Sequence, residues 1–209
     1  MRYVYSLLLL LLPTQLSALP FDGSWREQGF LRFFTNDYVQ SGARVSVVSE
    51  GTVSLLWRPV PEALRMARSA TWDWAVTRGV PATDLRVKGG DDRNLSFYFV
   101  FTSAEVAASA NPKRAARLLR NADTRALVYV WGGDDARGSQ FVSPYHPRLH
   151  TIVLRPSGTG QFRESVDLEA DYRAAFGAEP ETLIGVGLSA DSDDTDTDIQ
   201  AQLSNFDLK

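Results

Sequence analysis

Segments in which apolar side chains occupy every second position recur along almost the whole chain. In SATWDWAVT, Trp72 and Trp74 fall on one face of an extended strand, and Tyr129 and Trp131 do the same in ALVYVWG. Successive side chains of a β-strand point to opposite faces, so this period predicts strands. About eight or nine such segments, separated by turn-forming residues, predict an all-β fold with two minor helices, an antiparallel β-sandwich of jelly-roll type.

Two parts of this series carry more specific expectations. RVSVVSE and TVSLLWR are joined at Glu50 and Gly51, which predicts an early hairpin with its turn at these residues. LSFYFVFT is apolar on both faces, with Phe97 and Phe99 on one face and Tyr98 on the other. This pattern predicts a central strand that is covered on both sides or that faces an aromatic groove.

Two segments have helical periodicity instead. In the first, Asn111 and Pro112 precede KRAARLLRNAD and provide a candidate N-cap and a proline at the first helical position. In the second, DLEADYRAAFG, Leu168 and Tyr172 lie four residues apart on one face, and Gly177 is placed to end the helix.

The bulk composition limits the class of protein. A chain of 209 residues with 44% hydrophobic residues is sufficient for one domain with a sizeable core. The net charge is −3 and no basic patch is interleaved with aromatic residues, so nucleic-acid binding has no electrostatic support. The absence of cysteine excludes disulfides, thiolate zinc sites and cysteine nucleophiles.

The first 18 residues have the pattern of a secretory signal peptide. Arg2 precedes a leucine run that ends at Pro13, and a small residue, Ala18, marks the predicted cleavage position. The run is far shorter than the ~20 residues that a membrane-spanning helix needs. We therefore expect residues 19–209 to form a single domain that is periplasmic or secreted, with no membrane span after cleavage.

A set of motifs in a fixed order resembles a known bacterial family. The motifs are WDW at 72–74, GGDD at 89–92, VYVWG at 128–132, SPY at 143–145, DYRAAFG at 171–177 and IGVGLSADSDDT at 184–195. From about residue 21 to the C-terminus, the chain resembles the family catalogued as domain of unknown function 3047. The resemblance implies an exported protein without an established activity, with a strand pattern similar to that of jelly-roll carbohydrate-binding modules.

Aromatic side chains on one sheet face are the first ligand-binding candidates. Trp72, Trp74, Tyr129 and Trp131 can stack against sugar rings if they are exposed, or fill the interior of the sandwich if they are buried. The sequence leaves both interpretations open. Tyr145 in the SPY motif is a further candidate ligand-binding residue.

Asp91 and Asp92 are the second group of candidates, because they follow two glycines and open an aromatic strand. Adjacent strand residues point to opposite faces, so the two carboxylates cannot easily converge on one bond of a ligand. Both are candidate ligand-binding residues, and in one arrangement one of them faces a groove while the other accepts backbone N–H groups in the turn. A purely turn-forming role for both is the alternative.

The stretch SADSDDTDTDIQ carries five aspartates and is predicted to join the last two strands. It is not an EF-hand, because Asp196 and Gln202 stand where glycine and glutamate are required. Asp191 and Asp193 continue the alternation of the strand and are predicted to share a face and to bind Ca²⁺. A solvated connection is the alternative, and Asp196 and Asp198 are expected to face solvent.

These observations favour a non-catalytic carbohydrate-binding module of the periplasm or envelope, with a polysaccharide or glycan as its partner. A glycoside hydrolase or polysaccharide lyase that uses an aspartate pair is one alternative, and a structural or partner-binding envelope protein is another. The sequence contains neither a nucleotide-binding glycine loop nor a GxSxG nucleophile elbow, and it assigns no catalytic residue.

Overall fold

A computed structural model describes residues 19–29, 35–109 and 114–209, in which twelve strands form two sheets. The strands are β1 (Arg26–Gly29), β2 (Asp37–Gln40), β3 (Arg44–Glu50), β4 (Val53–Pro59), β5 (Ser69–Arg78), β6 (Arg93–Thr102), β7 (Arg125–Gly132), β8 (Gln140–Val142), β9 (Leu149–Arg155), β10 (Gly160–Asp167), β11 (Thr182–Asp191) and β12 (Asp198–Leu208). The helices are α1 (Ala104–Ser109), α2 (Ala115–Leu118) and α3 (Leu168–Phe176), with a 3₁₀ turn at Glu62–Leu64.

The two sheets pack face to face, which confirms the predicted β-sandwich of jelly-roll type. The larger sheet has the strand order β1-β4-β11-β6-β7-β9-β8, and the smaller one has the order β10-β5-β12-β3-β2. All strand pairs are antiparallel except β7 and β9, which run parallel. Strand β6 occupies the centre of the larger sheet, as its two apolar faces predicted.

The predicted hairpin at Glu50 and Gly51 is wrong. The turn is present, with Gly51 at a positive φ of 58°, but β3 pairs with β2 and β12 in the smaller sheet, whereas β4 pairs with β1 and β11 in the larger one. The Ser49 hydroxyl donates to the Thr52 carbonyl at 2.8 Å and contacts the Ser192 hydroxyl at the same distance. The connection therefore crosses between the sheets, and Ser192 from another crossing fixes its geometry.

The core between the sheets is aromatic. Trp72 and Trp74 of β5 meet Phe97 of β6 and Trp131 of β7, with ring centroids 5.2 Å apart for Trp72–Phe97 and 5.5 Å apart for Trp74–Trp131. Edge-to-face and tilted contacts of this kind are favourable for aromatic rings, and burial of such large side chains dominates sandwich stability. The alternation in the sequence thus reports the inner face of each sheet.

A buried ion-pair network ties the edges of the two sheets together. Glu164 of β10 is 1% exposed, and one of its oxygens accepts from the Trp74 indole at 3.1 Å and from Arg155 of β9 at 2.8 Å. Arg137 donates to the other oxygen at 3.0 Å. Because the carboxylate is fully hydrogen-bonded, its burial is tolerated, and removal of any one partner would leave an uncompensated charge.

The helix α3 forms as the sequence predicted. Asp167 caps its N-terminus by accepting from the Ala170 N–H at 2.9 Å, and Gly177 ends it in the left-handed conformation. The other predicted helix is shorter, since α2 covers only Ala115–Leu118. Its proposed cap, Asn111 and Pro112, lies outside the described residues.

The predicted signal peptide, residues 1–18, also lies outside the described residues. None of the helices in the described part of the chain is long and apolar enough to cross a bilayer. Cleavage after Ala18, export, and the single-domain boundary at residue 19 stay predictions.

Candidate functional site

A groove of about 590 Å³ lies on the outer face of the larger sheet, the face that points away from the core. Its floor is apolar and consists of side chains from β4, β6 and β7, namely Leu55, Trp57, Val100, Val128 and Val130. One wall is formed by α2 and the residues after it, and the other by the segments around Leu85–Asp91 and Ser143–Tyr145. The groove therefore occupies the second apolar face that the pattern of β6 predicted.

The aromatic floor of the groove depends on a close approach between two strands. The ring of Trp57 in β4 packs directly on Gly185 of β11, where an added Cβ would lie 2.0 Å from a ring carbon. Only glycine leaves room for the indole at this position. Trp57 is almost completely buried and lines the base of the groove.

Charged side chains concentrate at one end of the groove. The Arg93 Nη1 atom lies 2.8 Å from Asp91 Oδ2 and 3.0 Å from Asp191 Oδ2, and Arg93 Nη2 donates to the Tyr98 hydroxyl at 3.1 Å. Cross-strand pairing of Asp191 with Arg93 places β11 and β6 in the register that produces this arrangement. One guanidinium thus holds two carboxylates and a phenol in fixed positions.

Tyr145 forms the rim of the groove next to this ion-pair cluster. It is 54% exposed, its hydroxyl donates to Asp91 Oδ1 at 2.6 Å, and the ammonium of Lys88 lies 5.6 Å from its ring centroid. Burial and the hydrogen bond to Asp91 raise the pKa of Tyr145 to about 12. The phenol is therefore a stable hydrogen-bond donor, and one face of its ring is available to a ligand.

The environment of Asp191 favours its protonated form. Burial raises the pKa of Asp191 to about 8; Arg93 opposes this shift, and the facing carboxyl group of Asp193 adds to it. Asp191 Oδ1 is buried without a hydrogen-bond donor among the described residues. The groove thus contains a carboxyl group that accepts a proton or another positive charge near neutral pH.

Asp92 has a different role from its neighbour Asp91. Its side chain is completely buried and accepts from the backbone N–H groups of Asp194 and Thr195 at 3.3 and 2.7 Å, and from the Thr195 hydroxyl at 2.5 Å. It therefore fixes the connection at residues 192–197, which we call the aspartate loop. Of the arrangements that the sequence left open, the structure has Asp91 at the groove and Asp92 accepting N–H groups, and these come from a distant loop rather than from the adjacent turn.

The aspartate loop joins β11 and β12, as predicted. One carboxylate oxygen from each of Asp92, Asp193 and Asp194 lies within 4.8 Å of the other two, and we call these three residues the aspartate cluster. Asp191, which the sequence paired with Asp193 as a metal ligand, lies beside this cluster and is held by Arg93. The structure thus shifts the candidate metal-binding set, while cation binding itself stays a prediction.

The predicted bystanders in this region do face solvent. Asp196 is exposed, and Asp198 forms an exposed ion pair with Arg78 at 2.8 Å. Neither contributes to the groove.

Of the two interpretations of the aromatic side chains, the core is confirmed and the exposed ligand-binding platform is wrong. Trp72, Trp74, Tyr129 and Trp131 are at most 1% exposed and lie in the core between the sheets, and the Tyr129 hydroxyl donates to Asp171 at 2.6 Å. A ligand in the groove contacts the opposite face of the larger sheet and does not reach them. Of the predicted ligand-binding residues, Asp91 and Tyr145 line the groove, whereas Asp92 lies beneath the loop that borders it.

Several residues of the groove were not identified from the sequence. Arg93 directly follows the GGDD motif, and Tyr98 alternates with the core-facing phenylalanines of β6, so the pattern of the strand contained a signal for both. No local pattern indicated the contribution of Trp57, because it depends on packing of the indole against Gly185, in a strand more than a hundred residues away.

The fold and site define a class: a two-sheet β-sandwich with a groove on its larger sheet that is apolar along the floor and charged at one end. The chain belongs to the family described as Protein of unknown function (DUF3047), whose model matches residues 23–207. No curated protein matches the chain in sequence.

Several solved structures have a similar arrangement of strands. The xyloglucanase domain of NopAA from Sinorhizobium fredii, in complex with cellobiose, is 10% identical with a TM-score of 0.45 over 83% of this chain and 86% of that one. The catalytic domain of Humicola grisea Cel12A, in complex with a thio cellotetraose, is 12% identical with a TM-score of 0.42 over 81% of each chain. A loop-swap mutant of Necallimastix patriciarum Xyn11A is 8% identical with a TM-score of 0.42, over 88% of this chain and 99% of that one. These values are too low to transfer an activity.

Proposed function

We propose that the protein is an exported carbohydrate-binding protein that takes a glycan into the groove of its larger sheet. The observation that carries this proposal is the groove itself, with its apolar floor and the hydrogen-bonding cluster of Asp91, Arg93 and Tyr145 at one end. Sugars present both apolar C–H faces and hydroxyl groups, so a site for them needs both kinds of surface.

The polar end supports this proposal because its groups are already oriented. Asp91 accepts hydrogen bonds from Arg93 and Tyr145, and the Tyr145 hydroxyl in turn accepts from the Gly89 N–H at 3.4 Å. A carboxylate fixed in this way accepts hydrogen bonds from sugar hydroxyls with little loss of side-chain entropy on binding. The exposed ring of Tyr145 replaces the tryptophans as the surface on which a sugar can stack.

The test is a calorimetric and array-based screen of the purified protein against envelope and plant polysaccharides. We expect saturable binding that weakens about tenfold, equivalent to ~1.4 kcal/mol, in Tyr145→Ala. Tyr145→Phe keeps the ring but removes the hydroxyl and separates stacking from hydrogen bonding. Val39→Ala, which truncates an exposed side chain on the smaller sheet, is the matched control. Absence of binding to every glycan would refute the proposal.

A glycoside hydrolase is the second candidate, because Asp91 and Asp191 meet at one nitrogen of Arg93. Their distances to that nitrogen, 2.8 and 3.0 Å, limit the separation of the two carboxylate oxygens to about 6 Å at most, which reaches only the short end of the ~5–9.5 Å range for hydrolase pairs. The guanidinium occupies the space between them, which favours binding over catalysis. Reducing-end release from a bound glycan, abolished by Asp91→Asn, would establish the enzyme instead.

The third candidate is a structural envelope protein. Such a protein is expected to have no small-molecule pocket, so the groove argues against it. Export is the remaining part of the proposal and rests on the leucine run before Pro13. N-terminal sequencing of the protein from the periplasm or medium tests it, with residue 19 expected as the first residue.

A further inference from the structure

A second cleft, of about 570 Å³, lies beside the groove and is lined by the edge strand β1 and by α2 with its flanking residues. Its lining includes three arginines, Arg114, Arg117 and Arg120, and we call this space the arginine cleft. Gln28 of β1 and Ala116 of α2 line both the groove and the arginine cleft. The cleft therefore continues the groove towards the edge of the larger sheet.

The three arginine side chains lie on one side of a short helical segment. The Arg117 N–H donates to the Arg114 carbonyl at 3.1 Å, and the Arg120 N–H donates to the Arg117 carbonyl at 3.3 Å. Hydrogen bonds between residues three apart bring the side chains at i and i+3 to the same side of a helix. Ala115 and Leu118, which lie between the arginines in sequence, are buried against the larger sheet. The segment thus buries its apolar side and presents its arginines to the cleft.

Hydrogen bonds hold the two walls of the arginine cleft in place. The Gln28 side-chain oxygen accepts from the Ala115 N–H at 3.0 Å, which joins β1 to the start of α2. After the helix, the Arg148 guanidinium donates to the Leu119 carbonyl at 2.6 Å. The walls are therefore positioned before a ligand binds, which lowers the entropic cost of binding.

The positive charge of the arginine cleft exceeds the negative charge beside it. All three arginines are exposed, and none of them forms an ion pair within the part of the chain that the structure describes. The residues outside that part contain no aspartate or glutamate. Among the described residues, the acidic side chain that lines the cleft is Glu27, which accepts from the Ser54 hydroxyl at 2.6 Å. Three guanidinium groups thus face one carboxylate, in a chain whose net charge is −3.

We infer that the arginine cleft binds the carboxylates of an acidic polysaccharide whose chain lies in the groove. Guanidinium groups bind carboxylates through paired hydrogen bonds, and three adjacent like charges repel one another unless anions lie between them. The inference rests on the proposed function, because it names the class of glycan that the groove takes.

The spacing of the arginines favours a polymer with regularly repeated charges. Residues three apart in a helix are separated by about 4.5–6 Å along its axis, so the three guanidinium groups form a row. A polyuronate carries one carboxylate on each sugar and presents a row of the same kind. Its hydroxyl groups are recognised separately, since Asp91 and Tyr145 line the groove and not the arginine cleft. A membrane surface is less suited, because the arginines lie in a concave space that is continuous with the groove.

The experiment measures binding of polygalacturonate and of alginate by calorimetry, each beside its methyl ester, which keeps the backbone and removes the charge. We expect an acid form to bind at least about tenfold more tightly than its ester in ~50 mM NaCl, and the preference to shrink in ~0.5 M NaCl as salt screens the charges. Equal affinity for acid and ester would overturn the inference and leave the proposed function standing. Binding of neutral glycans alone would do the same, whereas absence of binding to every glycan would overturn both.

Vesicles of phosphatidylglycerol form the third arm of this experiment. Binding to these vesicles without binding to either polyuronate would assign the arginines to a membrane surface and overturn the inference.

Matched variants locate the contact. Arg114→Gln, Arg117→Gln and Arg120→Gln should each weaken binding of the acid form about threefold, as expected for exposed ion pairs, and the triple variant at least about tenfold. Arg163→Gln removes the same charge from an exposed position on the other sheet and should change the affinity less than about twofold. Because all four arginines are exposed, the variants should keep the Tm of the parent protein. Equal weakening by Arg163→Gln and Arg117→Gln would show that only the net charge attracts the polymer, which also refutes the inference.

Discussion

At the scale of single residues, Arg93 determines the electrostatics of the groove. It is the shared partner of Asp91, Asp191 and Tyr98, and its side chain is only 13% exposed. Without it, two largely buried carboxylates would lose the guanidinium that pairs with both of them in the described part of the chain. The residue also illustrates the limit of sequence reasoning: its position after GGDD was visible, but its partner Asp191 lies almost a hundred residues away.

We expect Arg93→Gln to lower the free energy of unfolding by about 3–5 kcal/mol, because it leaves buried charges unpaired. Urea denaturation measures the change. Arg163→Gln, at an exposed position of β10, should change stability by less than about 0.5 kcal/mol. Similar changes in the free energy of unfolding for the two variants would mean that the carboxylates around Arg93 are fully hydrated.

The raised pKa of Asp191 makes stability depend on pH. The folded protein holds this proton up to a pH of about 8, whereas an unfolded aspartate releases it near its ordinary pKa of 3.8. Between pH 3.8 and about 8, the folded protein therefore binds one proton more than the unfolded chain. The contribution of Asp191 to stability is thus fully present below pH 3.8 and is lost as the pH rises through about 8.

Urea unfolding in the presence of a chelator, at several values between pH 4 and 8, tests this dependence. Asp191→Asn should show a flatter pH profile than the parent protein over that interval, since the amide does not titrate. Parallel profiles for the two proteins would contradict the assignment of the shift to Asp191.

At the scale of elements, the alternation of apolar residues predicted β5, β6 and β7 and identified their inner faces, because burial on one side imposes that period. It did not predict which strands pair. RVSVVSE and TVSLLWR are neighbours in sequence but belong to different sheets, since β12 and β11, near the C-terminus, supply their partners. The same non-local pairing decided that the tryptophan faces are interior and that the groove lies on the opposite side.

The aspartate loop is anchored by Asp92, the residue immediately before β6. Asp92→Asn should destabilise the protein by about 1.5–3 kcal/mol, because the charge-assisted hydrogen bonds from the loop N–H groups are weakened. Hydrogen exchange should become faster at residues 193–197 and change little at β7. Asp196→Asn is the control, and unchanged exchange in Asp92→Asn would show that the loop is ordered independently.

At the scale of the whole molecule, the two sheets share one aromatic core to which no disulfide contributes, because the chain has no cysteine. Composition was enough to exclude disulfides. The sequence could not show how the rings interlock, because the contacts join strands from every part of the chain.

Trp72→Ala should therefore lower the free energy of unfolding by about 3–5 kcal/mol, as expected for a large side chain that packs against Trp74, Phe97, Phe99 and Tyr129. Chemical denaturation followed by fluorescence and by circular dichroism gives the value. Glycan affinity measured well below Tm should be unchanged, because Trp72 lies on the inner side of the larger sheet and the groove on its outer side. A specific loss of glycan binding in a folded variant would contradict this separation of core and groove.

The position of β12 has a consequence for how the protein is made. This strand ends at Leu208, yet it is the central strand of the smaller sheet, between β5 and β3. Until β12 has been synthesised, both of those strands lack their neighbour, so the smaller sheet is completed only after every other strand of the sandwich is available.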